Sequence, residues 1–335
     1  MREDAMVIRS VIIAGLLTCL MVSLYGQTDE PTVYVSVFST KLFVVGAANP
    51  QTGMFFQKPS EDTVWHHTGA KNIRANALAV FPGVNGRIRY TASGNGLHRT
   101  RDGGRSWKIT TGWRITEIWA VALDRTDSMN VFIGTAYGIY KSTDMGDTWK
   151  QVFTGFVSCV IVDRFDPSIL YAATEIGLYK STDRGETWKR TGLSIDRTRT
   201  VTQHPKDPLT LLAGTENHGI YASSNGGKTW EKREAGIDHA TFYTIAYDPR
   251  DPSIVYAGGY ATGVYRSTDG GTSWKRTCQG FEIEHIHSIA VDPVHPNRVY
   301  AGTMGAGVYR SDDKGETWRA VGLPGAQVGR IVIER

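Results

Sequence analysis

Two glutamates hold matching places in two successive stretches of the chain, Glu175 in Thr174-Glu-Ile-Gly177 and Glu216 in Thr215-Glu-Asn-His218. Two carboxylates facing one pocket can cleave a glycosidic bond, one protonating the leaving oxygen and the other attacking or activating water. The same pair can also be no more than solvated acids on surface loops. A second set of candidates falls once per stretch: Asn76, Trp119, Ser158, Arg199, Tyr243 and His287 each stand just ahead of an apolar run. If those runs are converging strands, the six side chains ring a channel mouth. Their mixture of aromatics, cation, hydroxyl, amide and imidazole suits a polar small molecule or a glycan. Trp113, Arg114, Asp196, Arg197, His239, Phe242, Glu282, Glu284 and His285 fall in loops around that mouth.

Other chemistries lack their residues. His285 and His287 share a strand face, but no third ligand at suitable spacing accompanies them, so no metal is expected. No Gly-rich phosphate loop leads from a strand into a helix and no Gly-x-Ser-x-Gly elbow occurs, so no cofactor is expected either. With 37 Lys and Arg against 33 Asp and Glu, the 335-residue chain carries a formal charge of +4 and no cationic run, which argues against a nucleic-acid partner.

What must position these residues is a repeat. Six times the chain runs Gly, a short aromatic-rich strand, then Ser/Thr-x-Asp/Asn-x-Gly-x-Ser/Thr-Trp. The six tryptophans, Trp107, Trp149, Trp188, Trp230, Trp274 and Trp318, are 42, 39, 42, 44 and 44 residues apart. A fixed period of this length marks an array of supersecondary units. Within a unit such as 243–277, alternation of Val, Ile and Tyr with small or polar residues predicts four strands, Tyr243–Asp248, Ser253–Gly258, Gly263–Ser267 and Trp274–Thr277. The Asp carboxylate and the Ser/Thr hydroxyl can accept backbone amides, Gly tolerates positive φ, and Trp supplies an apolar plug toward the next unit. The aspartates are therefore read as structural, and Asn225, which keeps the acceptor without the charge, agrees with that reading.

The turn motif resembles the Asp-box, or BNR repeat, of sialidases, sortilin-type receptors, xyloglucan hydrolases and photosystem II assembly factors. The resemblance implies an all-β fold, a β-propeller of four-stranded antiparallel blades with Asp-box turns. Seven blades are expected, because Trp65 lies 42 residues before Trp107 and Gly53-Met-Phe-Phe-Gln57 stands where a third strand belongs, although 59–64 have lost the turn motif. Arg330-Ile-Val-Ile-Glu334 and Tyr34-Val-Ser-Val-Phe38 both align with inner strands, and one of them should close the ring. Sialidases differ at the site: Gly86-Arg-Ile-Arg-Tyr90 lacks the Pro of their Arg-Ile-Pro segment. The run Ile289-Ala-Val-Asp292-Pro293 with Arg298–Thr303 looks like xyloglucan hydrolases, which usually pair two propellers around a cleft. The resemblance thus implies either a binding or assembly platform for a protein or glycan, or a glycosidase working through Glu175 and Glu216.

Residues 1–26 stand apart from the array. Arg2 and Arg9 precede the apolar run 11–26, which reads as a secretory signal cleaved near Gly26, leaving 27–335 as one secreted or periplasmic propeller. A membrane would be met only through an uncleaved signal, since the run is shorter than the roughly 20 apolar residues of a span. Cys159 and Cys278 fall in different blades and are expected to be separate thiols, and the protein is expected to be a monomer.

Overall fold

A computed structural model describes residues 30–40, 52–58, 60–71, 73–82, 87–239 and 241–334. The expected signal 1–26 and Gly86 of the 86–90 segment lie outside them. Among the described residues the chain forms seven four-stranded antiparallel sheets, which are the blades of a propeller, and no helix long and apolar enough to cross a membrane. Blades 2 to 7 follow chain order outward, from inner strands at Ala75–Val80, Ile118–Leu123, Val157–Val162, Thr198–Gln203, Phe242–Tyr247 and Ile286–Val291. The second strands are nearly continuous apolar runs buried on both faces, as in Val131–Thr135 and Leu170–Thr174.

Blade 1 is assembled from both ends of the chain. Ala326–Glu334 supplies its inner strand and pairs antiparallel with Thr32–Thr40, which is the second strand; Gly53–Gln57 and His66–Thr68 are the third and fourth. The alignment of Tyr34–Phe38 with inner strands is thus corrected. With the start of the array supplying strands two to four, only the C-terminal strand is left to fill the centre. Closure in this way gives Thr32–Thr40 a partner strand on each side, so it is not left as an edge.

The turns are built as their residue types require. In blade 4 the Ser181 hydroxyl accepts the Gly185 amide at 2.9 Å and donates to Asp183 at 2.7 Å, while Asp183 accepts the Thr187 amide at 2.9 Å and its hydroxyl at 2.5 Å. Blade 5 keeps the scheme with Asn225, whose amide donates to Thr229 Oγ1 at 2.7 Å. The tryptophans, however, reach the preceding blade and not the next. Trp149 donates to Thr110 O, Trp318 to Thr277 O and Trp65 to Val321 O, each a carbonyl at the outer edge of the blade before. The direction follows from the turn, which lies ahead of the outer strand and faces back across the groove already formed. Each of the seven apolar clusters spans one blade interface and holds one of these tryptophans. Trp65 does so between blades 1 and 7, so the degraded copy has lost its turn but kept its plug.

Charges repeat the same joint at the rim. Asp147 is clasped by Arg99 and Lys108 of the blade before, Glu186 by Lys141 and Lys150, Glu316 by Arg266 and Lys275, and Asp62 by Arg310 and Arg319 across the closure. These pairs are largely exposed at one partner and contribute modestly one by one. Cys159 and Cys278 are unbridged, as their separate blades require.

Two measurements test this architecture. Trp318 is 5% exposed and Trp188 only half-buried. Trp318→Ala is therefore expected to cost about 3–5 kcal/mol in denaturant unfolding and Trp188→Ala less; a Trp318 loss below about 1 kcal/mol would remove the plug from the account. The hydrogen bonds from the Thr148 hydroxyl and amide hold Asp144 at about 2, below its ordinary 3.8, and those from Thr187 hold Asp183 at about 2. A carboxylate depressed in the folded state stabilises it above 3.8, and that contribution is lost as pH falls toward 2. The unfolding midpoint should thus fall between about pH 4 and pH 2, and Asp183→Asn, imitating Asn225, should fold at pH 7 with a shallower acid slope. An unchanged slope would show that this turn does not titrate.

Candidate functional site

The blade geometry separates two faces. The turns from third to fourth strands and the connections from inner to second strands open on one face, and the loops from second to third strands meet the blade-to-blade loops on the other. On this second face they are tied by backbone bonds: Ala136 N to Glu117 O, Glu216 N to Arg197 O and Met304 N to His285 O, at 2.9 to 3.0 Å. Arg197 N in turn donates to Glu175 O at 2.8 Å. Glu117 and Arg197 sit at positive φ, 50° and 55°, a conformation that costs free energy for residues with a Cβ and is held here by these bonds.

The six sequence-derived ring residues do converge, and by a device the sequence reading lacked. Each lies one residue inside its inner strand, not ahead of it, as the extra residue of a β-bulge: the register skips between Ala75 and Ala77, Ile118 and Ala120, Val157 and Cys159, Thr198 and Thr200, Phe242 and Thr244, and Ile286 and Ser288. A bulge interrupts period-two alternation, so by sequence the strand seems to start after it. It also re-aims the unpaired side chain. Asn76, Trp119, Ser158, Arg199, Tyr243 and His287 all line one central cavity of about 480 Å³, as does the residue at the seventh bulge, Gly329. There a Cβ would come within 2.2 Å of Asn76 O, so the seventh place must be glycine.

These residues are not equivalent. Asn76 donates its amide to Ile118 O at 2.9 Å, and the Ser158 hydroxyl lies 2.9 Å from Arg199 O and 3.2 Å from Thr198 O. Both tie their inner strand to the next. Trp119, Arg199, Tyr243 and His287 keep surface for a ligand. Trp119 lies 6.1 Å from Phe156, over whose ring Arg199 passes at 5.9 Å; His287 packs 4.8 Å from Tyr243 and 6.3 Å from Phe38. Burial, with His285 adding to it, pushes the His287 imidazole down to about 4, so the ring is neutral at pH 7. Burial and then Glu216 raise the Tyr243 phenol, which stays protonated.

The two glutamates meet on Arg199. Its Nε donates to Glu216 Oε2 at 2.7 Å and its Nη2 contacts the same oxygen, while Nη1 lies 3.6 Å from Glu175 Oε1. Arg197 adds a contact to Glu216 at 3.5 Å. Glu216 lines the cavity; Glu175, 48% exposed, reaches it only through the arginine. Among the loop candidates, Trp113 is 83% exposed with Arg114 over its ring, Asp196 pairs with Arg190, Glu284 with Arg276, and His285 packs on Tyr260. Asp238 draws both Tyr265 and His239, and Glu282 is exposed. Phe242 is corrected: it is fully buried in the interface core beside Tyr265, because as the first residue of an inner strand it faces the next layer and not the channel. Phe156 and Phe38 were missed. For Phe156 the signal was available, since it lies two residues before Ser158, as Arg197 does before Arg199 and His285 before His287, on the strand period.

Beside known proteins, the chain is recognised in part. The family model described as "Sortilin, neurotensin receptor 3" matches residues 262–331. Among characterised proteins no sequence match is found. Among solved structures it is similar to the GH74 enzyme of Niastella koreensis, at 20% identity and TM-score 0.62 over 77% of this chain and 46% of that one. It is similar to YCF48 bound to D1 peptide, at 16% and 0.57 over 74% and 81%. It is also similar to the extracellular domain of a proposed hybrid two component system from B. thetaiotaomicron, at 14% and 0.63 over 85% and 38%. The chain thus spans less than half the length of the first and third of these. At identities this low the likeness carries the fold. By its seven four-stranded sheets the chain is a seven-bladed β-propeller, similar in fold to GH74 and YCF48 propellers, with residues 262–331 matching the sortilin model.

Proposed function

We propose that this chain is an exported binding or assembly platform that holds a protein or glycan on its variable face, over the bulge ring. The observation that carries the reading is that one register position, the inner-strand bulge, differs in chemistry in every blade while the rest of the blade repeats, and that all seven copies open into one cavity. Trp119, Tyr243 and Phe156 offer faces for stacking, and Arg199 with Glu216 offers paired donors and acceptors. Exposed Trp113, Tyr137 and Tyr260 extend the apolar surface outward on the same loops, in residue types that dominate binding hot spots. Export is supported by the apolar leader and by the extracellular domain among the similar structures.

Catalysis by Glu175 and Glu216 is the weaker reading. An acid–base pair needs one carboxyl free to give a proton and another free to attack. Here one guanidinium engages both, which suits a pair held as acceptors.

Two experiments follow. On an immobilised glycan array and against the exported protein fraction, the double variant Arg199→Ala, Tyr243→Ala should lose binding by at least roughly tenfold with an unchanged unfolding midpoint. Retained affinity would put the site on another face. Product analysis of each glycan bound should find it intact; cleavage that vanishes in Glu175→Gln or Glu216→Gln would replace the platform with a hydrolase.

A further inference from the structure

The joint that closes the ring lacks a turn that the other joints hold in a built seat. In blades 2, 4, 6 and 7 a tyrosine of the second strand pairs with a cation of the third: Tyr90 with Arg99, Tyr171 with Lys180, Tyr256 with Arg266 and Tyr300 with Arg310. Three of these tyrosines grip the turn of the blade that follows, each by the carbonyl just ahead of its last glycine. Tyr90 donates to Met145 O at 3.0 Å, Tyr171 to Gly226 O at 3.4 Å and Tyr256 to Lys314 O at 2.9 Å. Arg99 and Lys180 donate to the same carbonyls as their tyrosines, at 2.6 and 3.1 Å.

The fourth tyrosine, Tyr300, packs against blade 1, whose copy has lost the motif across 59–64. Beside it lies a cavity of about 180 Å³ between blades 7 and 1, walled by Arg298 and Arg310 on one side and by Gln57, Lys58 and Asp62 on the other. Tyr300 is 2% exposed, and its hydroxyl donates to no described residue. Burial raises the phenol against the pull of Arg298 and Arg310, so it keeps its proton. A buried donor without a partner costs free energy that an acceptor on a ligand recovers. The cavity is smaller than the roughly 300 Å³ at which pockets for whole small molecules begin, and has room for the tip of a turn.

The charges of the wall select the ligand. Lys58 lies 3.8 Å from Glu61, Arg298 3.6 Å from Asp292 and Arg310 2.6 Å from Asp62, so a free anion meets no unmatched cation there. A peptide turn brings a carbonyl for Tyr300 and amides for the carboxylates. The matching seats also restrict the residue over the ring. A Cβ on Gly315 would come within 2.9 Å of the Tyr256 ring, and one on Gly185 within 2.8 Å of the Phe132 ring.

We propose that the seat on Tyr300, between blades 7 and 1, binds a glycine-containing turn of another polypeptide, whose carbonyl ahead of the glycine accepts from the Tyr300 hydroxyl. The site lies on the turn face and is independent of the bulge ring and its partners.

A head-to-tail cyclised peptide of residues 223–228, Ser-Ser-Asn-Gly-Gly-Lys, tests this by ligand-observed magnetic resonance titration into the purified protein. Cyclisation lowers the ordering cost of the turn, and the Asn copy brings no carboxylate. Saturable binding is expected, weakened roughly tenfold or more when valine replaces the second glycine, and roughly three- to tenfold in Tyr300→Phe, which keeps the ring and removes the donor. No saturable binding, equal affinity of the valine peptide, unchanged affinity in Tyr300→Phe or displacement by acetate would overturn the proposal. A chain in which residues 58–65 are replaced by the sequence of 311–318 supplies its own turn and should not bind the peptide; binding that persists would put the peptide elsewhere.

Discussion

Closure of the ring is the constraint on which the rest of this molecule depends. Six blades made in chain order would end in two raw sheet faces, an open stack of apolar interfaces with an edge at each end. The pairing of Ala326–Glu334 with Thr32–Thr40 converts that stack into a cycle, and the residues at the joint are those a closed ring demands. Trp65 plugs the last groove against Val321, and Asp62 takes Arg310 and Arg319 as the turn carboxylates of other blades take theirs. Blade 1 therefore dispenses with the repeated turn of the other blades but not with the contacts that face blade 7. Turn chemistry stabilises a single blade, whereas the plug and the clasp stabilise the cycle, and only the second kind is indispensable where the ends meet.

From closure follows the channel, and from the channel the bulges. Seven inner strands brought around one axis crowd most where they begin, and an extra residue in each strand turns one side chain into the centre without disturbing the ladder behind it. Asn76 and Ser158 use that position to tie neighbouring strands through carbonyls, and Gly329 uses it to let Asn76 O approach. Trp119, Arg199, Tyr243 and His287 use it to present chemistry. One structural device thus either ties neighbouring strands together or opens a side chain to the cavity, and the side chain's hydrogen-bond partners tell which.

The repeat made the architecture legible because the chain contains its own comparison. The six copies from Thr100–Trp107 to Ser311–Trp318 assign strands and turns, Trp65 adds the seventh blade, and the inner, third and outer strands fall within a residue or two of their expected bounds. What stayed hidden were features that depend on geometry between copies. The side of the blade on which Trp packs cannot be inferred from one blade's sequence. The choice between Tyr34–Phe38 and Arg330–Glu334 for the centre depended on which positions were already filled. The bulge was invisible because it appears only as a register skip against a partner strand. Phe156 lay on the same period that places Arg197 two residues before Arg199 and His285 two before His287.

The contrast between shared and private positions also bears on how the glutamates should be understood. In these turns Asp144, Asp183 and Asp313 are held by hydroxyls and amides of their own turn, an arrangement repeated from blade to blade and equally served by Asn225. Glu175 and Glu216 occupy matching loops of blades 4 and 5, where Tyr137 stands in blade 3, and they converge on an arginine that no other blade has at its bulge. A carboxylate that serves the scaffold needs partners from the repeat, and these two have a private one. The cluster of Arg197, Arg199, Glu175 and Glu216 across two blades is therefore a specialised feature of one sector of the ring. Arg199 has few torsions left free once Glu216 takes its Nε and Nη2 on one side and the Phe156 ring lies under it on the other. On the platform reading proposed above, a cation fixed in that way would meet an acceptor on a partner with little ordering left to do.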